Sequence, residues 1–132
     1  MGIKASESEI ASFLAGKVYR EAMAIFDAPI IEELDPNISE ADFQAKILEI
    51  AKASGWKSYH THDSRRSTAG FPDLVMARGN CFLLAELKRT KGTVSDDQEQ
   101  WIDAIKKTSV PVFVWRPADW PEIVKLLTAK AV

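Results

Sequence analysis

Apolar positions recur along this chain in two rhythms, a helical one of about 3.6 residues and an extended one of two. Ile10, Phe13, Leu14, Val18, Ala22, Ile25 and Phe26 fall on one stripe and predict a helix over residues 6–26, with Ser6 and Glu9 spaced as a capping box. Pro29 and Pro36 then break the pattern, and residues 27–37 read as an acidic connector. Ser39 reads as an N-cap, with Asp42 at the third helical position. The helix it opens ends near Ser54, stops at Gly55 and buries Phe43, Ile47, Ile50 and Ala51.

From Trp56 to His62 the chain reads as a strand. Two apolar runs then flank Gly79-Asn80, a two-residue turn signal, so residues 73–88 read as a β-hairpin. In its second arm Cys81, Leu83, Ala85 and Leu87 take one face, and Phe82, Leu84, Glu86 and Lys88 take the other. Both faces begin apolar, which predicts a central strand covered on both sides. Ser95 opens another helix, with Gln98, Trp101, Ile102 and Ile105 on one face. Residues 110–115 read as a buried strand, which Arg116-Pro117 ends. Asp119 then reads as the cap of a last helix over residues 120–129, with Ile123, Val124, Leu126 and Leu127 as its apolar face.

A hairpin followed by strand, helix and strand gives an α/β fold with a mixed sheet of about four strands, flanked by helices. Residues 1–37 form an extra N-terminal helix and connector, and residues 38–132 the main domain. The N-terminal helix either packs on that domain or pairs with a second subunit.

Composition changes this picture little. At 132 residues and 46% hydrophobic, the chain is long enough for one real core. No apolar run approaches the ~18 residues of a membrane span. A single cysteine, Cys81, excludes an internal disulfide and points to a reducing, cytoplasmic setting. Charge says more. The net of −2 hides an uneven distribution: residues 55–92 carry seven Lys or Arg against three acids, net +4, and the remainder ten against sixteen, net −6. Such a basic stretch suits a phosphate-binding surface.

The chemistry concentrates at the open end of the hairpin. Glu86 and Lys88 are commonplace as an ion pair at a solvated strand end. The hairpin pairing, however, brings Asp73 beside Glu86. Two carboxylates at contact distance repel, and a divalent cation relieves the repulsion. His60 and His62 share a strand face, but no further Cys or His completes a tetrahedral zinc set. Arg65 and Arg66 lie in a polar loop that leads into Gly70 and Asp73, within reach of a phosphate backbone. Gln98 is spaced from Ser95 as a capping box, yet it also falls at the edge of the face that packs toward Lys88.

Pro72-Asp73 followed by Glu86-Leu87-Lys88 resembles the signature of the PD-(D/E)xK nucleases. With Gly55-Trp56, Tyr59-His60, residues 63–67 (Asp-Ser-Arg-Arg-Ser), Gly70-Phe71-Pro72-Asp73-Leu74 and Ser95-x-x-Gln98, residues 40–120 resemble the small stand-alone VRR-Nuc domains of phages and bacteria. The PD…ExK motif alone is weakly specific; the ordered set is strong. The resemblance implies a restriction-endonuclease-like fold and a metal-dependent DNA endonuclease with a preference for branched DNA, such as four-way junctions or flaps. It implies Mg²⁺ or Mn²⁺ held by Asp73, Glu86 and the Leu87 carbonyl, with a helix-borne glutamate, here Glu40, completing the site. Lys88 and Gln98 take the other catalytic positions. Arg65, Arg66, His60, Ser67, Arg89 and Lys91 are the DNA-contacting candidates. It further implies a homodimer and a bacterial or phage-infected cytoplasm. A DNA-binding module without catalysis, and a phage structural or regulatory partner domain, stand as alternatives.

Overall fold

The computed structural model describes residues 32–61 and 68–130. The helix expected over residues 6–26 lies outside them, as do Arg65, Arg66 and Ser67. The chain divides into two units between Glu32 and Glu33, and the second unit is the one described below.

Its elements are α1 (Glu40–Ala53), β1 (Lys57–His60), β2 (Leu74–Arg78), β3 (Cys81–Leu87), α2 (Asp96–Lys106), β4 (Val112–Trp115), a 3₁₀ turn (Pro117–Asp119) and α3 (Trp120–Thr128). The four strands form one mixed sheet in the order β1-β2-β3-β4. The β1/β2 and β2/β3 pairs are antiparallel and β3/β4 is parallel. A parallel pair needs a crossover, and α2 supplies it. This is the expected α/β architecture of the restriction-endonuclease type.

Local chemistry explains the boundaries. Ser39 Oγ accepts from the Asp42 amide at 3.0 Å and caps α1, worth about 1 kcal/mol. Gly55, with φ of +89°, takes the left-handed conformation that ends the helix. Gly79 (φ +61°) turns the hairpin between Arg78 and Cys81.

The core lies on one sheet face, where Phe43, Ile47, Ala51, Ile123 and Leu127 of α1 and α3 meet Leu74, Met76, Leu83, Ala85 and Leu87. Leu34 and Ile38 pack on it from the segment before α1. On the opposite face Gln98 of α2 reaches Glu86 of β3, and Trp101 of α2 packs against Phe71.

Several details depart from the sequence reading. Cys81 and Phe82 are exposed, so β3 is covered on both sides only from Leu83 onward. Leu126 is also exposed: it falls off the stripe that Ile123, Val124 and Leu127 bury. Asp119 does not hydrogen-bond into α3; its carboxylate accepts from the Arg116 amide and closes the 3₁₀ turn instead. Arg78 donates to the carbonyls of Ser54, Leu127 and Ala129 and lies over the Trp56 ring. It therefore ties together the C-terminal ends of α1 and α3, whose last carbonyls lack helical partners.

Candidate active site

The site forms where β2 begins and β3 ends. The register that pairs Leu74 with Ala85 sets Asp73 opposite Glu86. Asp73 Oδ2 accepts a 2.8 Å hydrogen bond from the Leu87 amide, which holds the half-buried carboxylate against the last rung of β3. Pro72 is fully buried just before it.

Gly70 makes this approach sterically feasible. Its φ is +90°, and a Cβ there would lie 2.4 Å from the backbone carbon and oxygen of Asp97, in the first turn of α2. Phe71 meets Trp101 of α2 edge to face, with centroids 5.0 Å apart. The segment leading to Asp73 is thus seated on the helix that carries Gln98. Gly70→Ala is expected to lower stability by about 1–2 kcal/mol from its backbone conformation alone, with the Asp97 contact adding to it. Thermal unfolding checks this; a wild-type Tm in the variant would contradict it.

Glu86 is 2% exposed and is the one charged side chain buried among the described residues. Its Oε2 accepts from Gln98 Nε2 at 2.7 Å and lies 3.6 Å from Lys88 Nζ. Its Oε1 is buried without a donor. Burial, more than anything else, pushes the Glu86 carboxyl up to about 8. The negative charge of Asp73 pushes the same way, Lys88 opposes, and the Glu40 charge adds to the rise. Two carboxyl groups hydrogen-bond to each other only by sharing a proton. A cation in the proton's place satisfies both as carboxylates. The orphaned Oε1 and the facing Asp73 therefore fit a hard divalent ion.

Gln98 fills both roles its position suggested. Its Oε1 accepts from the Ser95 amide at 2.9 Å and its own amide donates to Ser95 Oγ at 3.2 Å, which completes the capping box. Its remaining amide group holds Glu86. One side chain thus fixes the start of α2 and orients a buried carboxylate.

The structure brings Asp73, Glu86, Lys88 and Gln98 together. Glu40 stays exposed at the start of α1, near enough to act on Glu86 through its charge. No three His, Cys, Asp or Glu side chains gather into a metal cluster among the described residues. His60 ends β1 opposite Leu74, which puts it on the sheet face away from Glu86. Arg89 and Lys91 are exposed in the loop after Lys88. The basic stretch is less concentrated at the site than its order in sequence suggests. Lys57 pairs with Ala77 at the far end of the sheet, and Arg78 is spent on helix carbonyls there.

Sequence reasoning missed Arg116. Its Nη1 donates to the carbonyls of Arg89, Thr90 and Gly92, and so holds the loop that follows Lys88. The only signal was an arginine placed just beyond the strand parallel to β3.

A family model described as "VRR-NUC domain" matches residues 34–119, nearly the whole described unit. No curated protein and no solved structure matches the chain.

Proposed function

The chain belongs to the VRR-NUC domain family, which makes residues 34–119 a nuclease-type, DNA-processing domain, and on that premise we propose that it is a metal-dependent endonuclease acting on branched DNA. The observation that supports the metal dependence is the buried, donor-less Oε1 of Glu86, on a carboxyl group set opposite Asp73. Asp73, Glu86 and the Leu87 carbonyl would hold one Mg²⁺ or Mn²⁺, with water filling the remaining positions. The chemistry such an ion supplies is a lowered pKa for a coordinated water and neutralisation of charge on the phosphate.

The protein's own groups supply the rest. Lys88, beside Glu86 Oε2, orients or deprotonates the attacking water and stabilises charge in the pentacovalent state. Gln98 keeps Glu86 from rotating away. Glu40, whose charge reaches Glu86, would help hold the ion or a second one. Exposed Arg89 and Lys91, with Arg65, Arg66 and Ser67 before the hairpin, contact the DNA; His60, on the other sheet face, does not.

Incubation with four-way-junction, flap and linear DNA in Mg²⁺ or Mn²⁺, with and without excess chelator, tests this reading. The expected result is cleavage that chelator stops, strongest on branched substrates. Binding without cleavage would leave a non-catalytic DNA-binding module; neither would leave a structural or regulatory partner domain. We further propose a homodimer working in a bacterial or phage-infected cytoplasm, as a pair of sites suits a two-strand cut. Sedimentation of a monomer both on and off DNA would remove the dimer.

A further inference from the structure

A cleft of about 130 Å³ opens beside the strand end that bears Lys88, lined by Pro36, Asn37, Arg89, Thr90 and Lys91. It is held from two directions. Arg116 gathers the carbonyls of Arg89, Thr90 and Gly92, with the Gly92 bond at 2.7 Å, and Thr90 Oγ1 donates to the Pro36 carbonyl at 2.6 Å. The loop Arg89–Gly92 is closed further by a 3.0 Å bond from the Gly92 amide to the Arg89 carbonyl. The two cationic side chains that line the cleft are exposed, and neither forms an ion pair among the described residues. The hydrogen bonds of Arg116 and Thr90 thus hold the loop backbone that carries two exposed cations, with the Asn37 side chain across the cleft from them.

We propose that this cleft is a second phosphate subsite, which takes a DNA backbone phosphate next to the one that is cut. Arg89 and Lys91 supply the charge, and the Asn37 amide supplies a directional donor. Arg116 is a positioning residue: it fixes the loop by its carbonyls and leaves the phosphate to its neighbours. Lys88 lies against Glu86 and the next residue, Arg89, lines the cleft, so a phosphate held there lies close in the chain to the carboxylate pair. The inference rests on the nuclease reading only for the identity of the strand bound; the cleft itself requires DNA binding, not cleavage.

The test is binding in excess chelator, so that nothing is cut. A series of DNA ligands, each with one neutral methylphosphonate linkage, is titrated against wild type, Arg89→Ala/Lys91→Ala and Arg116→Ala. Wild type is expected to bind more weakly when one particular linkage is neutral. The double variant is expected to be indifferent to that linkage, and its slope of log affinity against log salt to be shallower by about one unit. Arg116→Ala is expected to blur the dependence over neighbouring linkages, with Arg116→Lys restoring it in part. A double variant with the wild-type linkage profile and salt slope would overturn the proposal, as would a wild type that does not bind DNA. If the linkage pattern appears but no DNA is cut with Mg²⁺ or Mn²⁺, the subsite stands and the nuclease reading falls.

Discussion

Asp73→Ala is expected to lower DNA cleavage at least about a thousandfold, equivalent to about 4 kcal/mol of transition-state stabilisation, in a protein that still folds. The carboxylate is one of two that converge at the strand ends, and its removal leaves Glu86 alone to hold an ion. The fold should survive because two effects offset. The Leu87 amide loses its 2.8 Å acceptor, at a cost of about 1 kcal/mol. The repulsion that helps push the Glu86 carboxyl up to about 8 disappears at the same time. Circular dichroism and thermal unfolding establish the fold, and a single-turnover assay on junction DNA reads the chemistry. Substantial cleavage by this variant would mean that the reaction uses other groups.

The second large effect is on stability. Glu86 is charged in the unfolded chain above about pH 4.5 but in the folded protein only above about 8. A raised folded pKa contributes stability that is fully present below the unfolded value and is lost as pH rises through the folded one. The metal-free protein should therefore unfold at lower temperature at pH 9 than at pH 6, by an amount on the order of a few kcal/mol at most for this group. Mg²⁺ should raise Tm most at the high end, because it binds the ionised form that the folded protein otherwise disfavours. Glu86→Gln should remove both behaviours. The amide keeps an acceptor for Gln98 and can donate toward Asp73, so the variant should be more stable than wild type in chelator at pH 9 while losing cleavage. A steeper fall of Tm with pH in Glu86→Gln than in wild type would contradict the assignment.

Much of this arrangement is legible in the chain because it is local. Gly79-Asn80 determines the hairpin turn, the turn determines the register, and the register places Asp73 opposite Glu86 without reference to any distant residue. The two roles of Gln98 follow from its three-residue spacing from Ser95 and from the helical face it shares with Ile102. The extent of α1 is set by Ser39 and Gly55, which act on their own neighbours.

What was not legible depends on which end of an element a residue occupies in space. Arg78 is only five residues from Asp73 in sequence, yet those five residues span β2, so its charge serves the carbonyls at the opposite end of the sheet. Arg116 looks like a strand terminator, and its real partners are the carbonyls of residues 89–92, which parallel pairing of β3 and β4 brings alongside. Cys81 and Phe82 follow the alternating pattern of a central strand, but the hairpin tip extends beyond the helices that cover the rest. The asymmetry of Glu86, with two partners on one oxygen and none on the other, has no sequence signature at all.

The central claim is that Asp73 and Glu86 share one cation, and Mn²⁺ binding measured by electron paramagnetic resonance at pH 7.5 addresses it without DNA or turnover. Wild type should remove free Mn²⁺ in a saturable manner, and Asp73→Ala and Glu86→Gln should each lose that site. A wild type that leaves Mn²⁺ free, or variants that bind it as wild type does, would contradict the account.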